Sequence, residues 1–193
     1  MSTPQTTGSR PSAARGRLLE AATRLFYEEG IHSVGVDRVI AVAGVTRATM
    51  YKQFGGKENL VLAYLEGEDG YLRGLFDEAR AVTDDPDRLL ELTIAGIVED
   101  VRQRHTRGCP FINAAAEYPD GEGAVRRLIT EHRGWFRASL EALAAAAGLD
   151  APAKVAASLV LLRDAALVGG YLDGDVTADF ARTARAVIDD HRA

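Results

Sequence analysis

The stretch VDRVIAVAGVTRATMYKQF, residues 36–54, holds two short helical patterns joined at a glycine. Val36, Val39, Ile40 and Ala43 fall at the three- and four-residue spacing of one buried helix face. Gly44 follows, where a left-handed turn residue ends a helix at least cost. Thr46 is placed to cap a second helix through its side-chain oxygen, with Val45, Met50 and Phe54 as apolar anchors. Arg47, Ala48, Thr49, Tyr51, Lys52 and Gln53 then surround a short rod, and the whole reads as a helix-turn-helix. Such a rod suits a DNA groove. Cations and hydroxyls hold phosphate, while Arg, Gln and a Thr methyl meet base edges. On this reading Tyr51 and Lys52, with Lys57 just downstream, hold phosphate, and Arg47, Thr49 and Gln53 face bases. A pair of core helices with a polar outer face carries the same local pattern, so the wider string decides between them.

That wider string, GIHSVGVDRVIAVAGVTRATMYKQFGGKENLVLAYLE at residues 30–66, resembles the N-terminal DNA-binding region of the tetracycline-repressor (TetR) family of bacterial transcriptional regulators. The match is carried by AGVTRATMYKQF and by the KENL that follows, with turn, aromatic and downstream lysine in register. Two positions depart from the family pattern. Ile40 stands where a small Ala is usual and is expected to alter packing between the two helices. Gln53 stands where His is common before the Phe and is expected to alter a backbone contact. The resemblance implies a homodimeric regulator, a repressor with activation as the alternative, that leaves a palindromic operator on double-stranded DNA when a small-molecule effector occupies its helical body.

Composition agrees with that class. The chain has 193 residues and a formal net charge of −5. Residues 1–56 carry seven Arg or Lys against four acids, so this third is +3 and the remainder −8. A basic end can hold a phosphate backbone while an acidic body faces away. No uninterrupted apolar run approaches the roughly 20 residues of a membrane span. The polar start, MSTPQTTGSRPSAAR, lacks the apolar stretch of a signal peptide, so the expectation is a cytoplasmic protein without a membrane partner. A single cysteine, Cys109, excludes an intrachain disulfide and any multi-cysteine metal site. His32, His105, His132 and His191 lack ligand spacing, and neither metal nor cofactor is expected.

Along the chain the patterns are helical throughout, which predicts an all-α fold of about nine helices. Residues 1–11, rich in Ser, Thr and Pro, are expected to be a disordered tail. Residues 12–56 form the helix-turn-helix domain, and 57–193 a helical ligand-binding and dimerisation domain. The first helix, 12–29, turns Leu18, Ala22, Leu25 and Phe26 to one face. A long helix spans 57–82, and Gly67, Gly70 and Gly74 weaken its middle enough to predict a bend suited to signal transfer. Further helices are predicted from TDDPD to about residue 105, and at 111–118, 125–147, 152–172 and 177–191.

The helix at 152–172 is apolar on more than one side, which fits burial within one subunit or sharing between two. Ala165, Ala166, Gly169 and Gly170 would let another helix approach closely. The resemblance adds that the family dimerises through its last two helices, so Leu159, Leu162, Ala165, Ala166, Gly169 and Gly170 are expected at the interface. RGCPFINAAAEYPDGEG, residues 107–123, supports three readings. Cys109 with His105, Glu117 and His132 supplies the residue types of a nucleophilic enzyme, though no elbow or oxyanion motif surrounds it. A redox-sensing thiol needs a lowered pKa, from Arg107 or His105. An effector pocket would be lined by Cys109, Phe111, Asn113, Tyr118, Trp135 and Phe136, with Asn113 or Glu117 as polar anchors. By resemblance, GCPFINAAAEYP recurs in a subgroup of the family with uncharacterised ligands. No catalytic role is assigned.

Overall fold

A computed structural model describes residues 12–192; the tail at 1–11 lies outside them. Among the described residues the chain forms nine α-helices, one π-helical turn and no strand. It divides into two compact units, the first ending at Tyr64 and the second beginning at Leu65.

In the first unit Ser12 caps α1 (Ala13–Glu29), its Oγ accepting from Arg15 N at 3.2 Å, and Gly30 at φ 92° ends it. Leu18, Ala22, Leu25 and Phe26 are buried, the face expected from their spacing. They pack on α2 (Val36–Ala43), α3 (Arg47–Phe54) and the first turns of α4 (Lys57–Val82). Leu60, Val61 and Tyr64 are buried, with the Tyr64 ring 6.1 Å from that of Phe26, so the compact unit runs past the boundary expected at residue 56. Val39 and Ala43 form the closed side of α2, with Val36 and Ile40 half-buried.

In the second unit Asp85 caps α5 (Pro86–Glu99), accepting from Asp87 N at 3.0 Å. The helix expected to continue to about residue 105 changes after Glu99 into a π-turn, Asp100–Arg104. Then come α6 (Pro110–Glu117), α7 (Ala124–Ala146), α8 (Pro152–Leu172) and α9 (Thr177–Asp190). Helix α8 packs most closely, against α7 and α9. By length and composition α8 could cross a bilayer. Here its Val155, Leu159 and Leu167 are buried in the unit's own core and Arg163 is buried near its centre. Helix α4 runs uninterrupted through Gly67, Gly70 and Gly74.

Candidate nucleic-acid interface and ligand cavity

The two helices of the N-terminal motif are set by their caps. Gly44 takes φ 61° and ψ 44°, a left-handed conformation that costs any residue with a Cβ. Its N–H returns to the last turn of α2, and Arg17 Nε donates to Ala43 O at 3.1 Å. Thr46 Oγ1 accepts from Thr49 N at 3.2 Å and lies 2.9 Å from Thr49 Oγ1. Both threonine hydroxyls therefore serve the start of α3, where the first backbone N–H groups lack helical partners. Met50 and Phe54 are buried; Arg47, Tyr51 and Lys52 are exposed and Gln53 is half-buried. Arg47 is ion-paired with Asp37, and both side chains are largely exposed. Asn59 Nδ2 donates to Phe54 O at 2.7 Å, closing α3, and the Lys57 ammonium stands 6.0 Å from the Phe26 ring centre. Helix α3 thus exposes a guanidinium, a phenol and an ammonium while Met50 and Phe54 anchor it.

Of the residues expected to line an effector pocket, Phe136 lies on the wall of a cavity, while Cys109, Phe111, Asn113 and Trp135 are packed against or bonded to neighbouring groups. Cys109 is fully buried and accepts from Arg163 Nη1 at 3.1 Å. Phe111 stacks on His132 at 3.6 Å with planes 9° apart. Asn113 Nδ2 donates to Arg107 O at 3.1 Å, stabilising the chain around Gly108 at φ 85°. Glu117 and Tyr118 are half-buried. Trp135 is sandwiched, with Phe76 edge-on at 5.4 Å and the Arg73 guanidinium at 4.2 Å. These side chains fill space instead of enclosing it.

A cavity of about 50 Å³ lies beside them, among α4, α5, α7 and α8. Helix α4 lines it with Leu72, Leu75, Phe76 and Ala79, and α5 with Leu92, Thr93, Gly96 and Ile97. Phe136 belongs to the wall as well. At its polar end stand Asp100, from the π-turn, and Arg163, from α8. Neither was singled out by periodicity. A charged pair, Arg163 and Asp164, inside an otherwise apolar helix was the available signal, because such residues are almost never fully buried without a partner.

Around that end runs a buried ionic network. Glu68 meets Arg104 at 3.0 Å and His105 Nε2 at 3.2 Å, and His105 Nδ1 sits 2.7 Å from Asp100 Oδ1, off the ideal hydrogen-bond line. Burial pulls His105 down, but Asp100 and Glu68 outweigh it and hold the imidazole above its ordinary pKa. For Glu68, burial works upward and is outweighed by His105 and Arg104, so its pKa is lowered. His132 goes the other way: burial depresses it, Asp69 opposes, and the Arg163 charge adds to the depression. Both ring nitrogens of His105 face carboxylates, and His132 is stacked on Phe111 and bonded to Asp69 at 2.8 Å. Neither histidine is oriented as a base for Cys109, whose sulfur faces Arg163.

On the same face of α8 as Arg163, Leu159 and Ala166 are buried within their own subunit, and a Cβ on Gly170 would come 2.7 Å from Val101 Cγ1. The expectation for Leu159 and Ala166 is therefore corrected: they face the protein's own core, because α8 packs on α7, α9 and the π-turn, whereas Gly170 is half-buried. Leu162 and Gly169 are half-buried, and Ala165 is exposed beside Leu161, Val168, Tyr171 and Leu172.

A model of bacterial regulatory proteins of the tetR family matches residues 18–64, and one of the tetracyclin repressor-like C-terminal domain matches residues 86–187. A TetR-family transcriptional regulator from Streptomyces coelicolor is similar in structure, with a TM-score of 0.88 and 41% identity over 93% of this chain and 96% of that one. The HTH-type transcriptional activator FasR of Mycolicibacterium smegmatis is 37% identical over 76 residues, 39% of this chain and 35% of that protein. The HTH-type transcriptional repressor AcnR of Corynebacterium glutamicum is 32% identical over 87 residues, 42% of this chain and 46% of that protein. The chain thus spans less than half the length of these two curated relatives.

Proposed function

The chain belongs to the TetR family of bacterial regulatory proteins, and from that premise we propose that it is a cytoplasmic, homodimeric, DNA-binding transcriptional repressor. The observation that carries the reading is α3, capped by Thr46, anchored by Met50 and Phe54, with Arg47, Tyr51 and Lys52 left exposed. Lys57 and Lys52 with Tyr51 hold phosphates; Arg47, Thr49 and Gln53 read base edges. Two copies related by a two-fold axis place two such helices on a palindrome, since one short helix reads few base pairs. No catalytic role is assigned to Cys109, which is sealed beneath Arg163.

We further propose that the effector enters the cavity between α4 and α5. At about 50 Å³ the cavity is well below the roughly 300 to 1,000 Å³ of ligand pockets, so an effector of ordinary size fits only a widened body. A ligand that favours the widened state lowers operator affinity by linkage whenever the two states differ in their hold on DNA. Selection of bound sites from random DNA tests the first part: an enriched palindrome with salt-dependent affinity is expected, and the absence of any enriched sequence overturns it. Gly96→Leu tests the second. A Cβ on Gly96 meets nothing within 4 Å, so the substitution starts from open space at the cavity wall; operator binding should persist while effector release is lost.

A further inference from the structure

The cavity has one feature that narrows the chemistry of its occupant. Arg163 is 5% exposed, yet its donors are not all matched. Nη1 donates to Cys109 Sγ at 3.1 Å and to Asp164 Oδ1 at 3.2 Å. Among the described residues Nε and Nη2 have no acceptor, and neither is sealed away from open space. The open space beside the side chain is the cavity it lines. Three N–H donors of a buried guanidinium are therefore left without a protein acceptor at the wall of a chamber whose lining, Asp100 and Thr93 apart, is otherwise apolar.

The nearby carboxylates are engaged elsewhere. Asp164 also pairs with Arg133 at 2.7 Å, and Asp100 faces His105 at 2.7 Å. Phe136, whose ring centre lies 5.5 Å from the guanidinium carbon, offers a π face but no acceptor atom.

Length follows from the helices. Glu68 of α4 meets Arg104 and His105 beyond the end of α5, so the two helices run antiparallel along the cavity and its charged end lies next to Leu72. From Leu72 to Ala79 the apolar wall extends about 10 Å at 1.5 Å per residue.

We propose that the effector is an apolar carboxylic acid, its carboxylate bound in the fork of Arg163 Nε and Nη2 and its chain or ring lying along α4 toward Ala79. A planar carboxylate satisfies two parallel guanidinium donors at once, which a neutral amide does less well and an amine cannot do at all. The assignment rests on the effector reading of this cavity and specifies its ligand class. Straight-chain acyl and aryl acids share this chemistry.

The test uses the full-length protein and calorimetric titration with octanoate, octanamide, octylamine and 4-phenylbutyrate. Octanoate or phenylbutyrate should bind, and whichever is tighter distinguishes an acyl from an aryl body. Octanamide should be weaker than octanoate by about tenfold or more, and octylamine should give no heat of binding. Arg163→Lys, which keeps the charge but loses the fork, should weaken the acid by about tenfold, and Gly96→Leu should abolish its binding. Because the acid, amide and amine are compared on the unaltered protein, the result does not depend on either variant folding. Amide or amine binding as tightly as the acid, with Gly96→Leu blocking all of them, overturns the carboxylate assignment and leaves the cavity reading standing. Acid binding untouched by Gly96→Leu overturns both. Failure of both acids to bind overturns the assignment as well.

Discussion

Arg47 is an exposed guanidinium held by an exposed carboxylate, Asp37. Such pairs are worth about 0 to 1 kcal/mol, so the contact orients Arg47 without preventing its transfer to a base edge. Arg47→Ala should relax preference at one base pair per half-site and cost about 1 to 3 kcal/mol, measured by repeating the DNA selection with the variant. An unchanged selected sequence removes the base-reading role. Lys57→Ala should instead weaken binding to all DNA and flatten the dependence of log affinity on log salt by about one unit. His105 yields a prediction in pH. Its pKa is raised, so its contribution to stability is complete below the ordinary value of 6.5 and is lost as pH climbs through the raised value. Glu68 is lowered, so its contribution is present above 4.5 and is lost only as pH falls through the lowered value. His132 is lowered, so its charging costs stability only below 6.5; as pH climbs from 6.5 through the raised value of His105 the denaturation midpoint of the wild type should therefore fall, while His105→Gln should be less stable at the start of that range and nearly flat across it. A wild-type midpoint that rises over this window contradicts the network.

The element that joins these residues is the π-turn. One extra residue per turn re-aims the chain after Glu99, so that Asp100 meets the cavity, Val101 packs on Gly170, and Arg104 and His105 hold Glu68 of α4. Arg102 adds an ion pair to Asp175 at 3.0 Å. Cavity, α4 and α8 thus share one short segment. Gly170→Ala places a methyl 2.7 Å from a β-branched side chain that has little rotamer freedom, and should destabilise the fold by about 1 to 3 kcal/mol in chemical denaturation. The glycines of α4 behave differently. Gly67, Gly70 and Gly74 each have open space where a Cβ would stand, so nothing steric requires them. Gly70→Ala should stabilise the protein by up to about 1 kcal/mol, and if the helix bends on effector binding, it should also raise the effector concentration needed for DNA release. An alanine that stabilises and leaves release unaltered shows that α4 transmits the signal as a rigid rod.

At the scale of the whole molecule, the seam between subunits has to be built from side chains that the subunit's own core leaves uncovered. On α8 these are Leu161 at 69% and Leu172 at 68% exposure, with Ala165, Val168 and Tyr171 between them. Large apolar side chains exposed along one helix of a chain with a formal charge of −5 mark a contact surface. Leu161→Arg should dissociate the dimer in sedimentation at micromolar concentration and reduce operator affinity with it, whereas a substitution at buried Leu159 should unfold the subunit instead. A wild type that sediments as a monomer sinks the proposal.

The helix-turn-helix was legible in residues 36–54 because its determinants are local: a glycine free to turn left-handed, a threonine within reach of Thr49 N, and apolar residues at helical spacing. The same locality made the helices readable, for burial of one face imposes a period that composition alone preserves. The cavity was legible only at Phe136; Arg163 and the lining residues of α4 and α5 were not. Cys109, Phe111 and Trp135 have the residue types of a pocket wall, but whether a side chain bounds a void or fills one depends on what approaches from other helices. Here Arg163, His132, Phe76 and Arg73 occupy that space. The interface residues on α8 divided for the same reason. A helix apolar all round shows no preferred face in one dimension, and only packing against α7, α9 and the π-turn decided which residues became core and which were left for a partner.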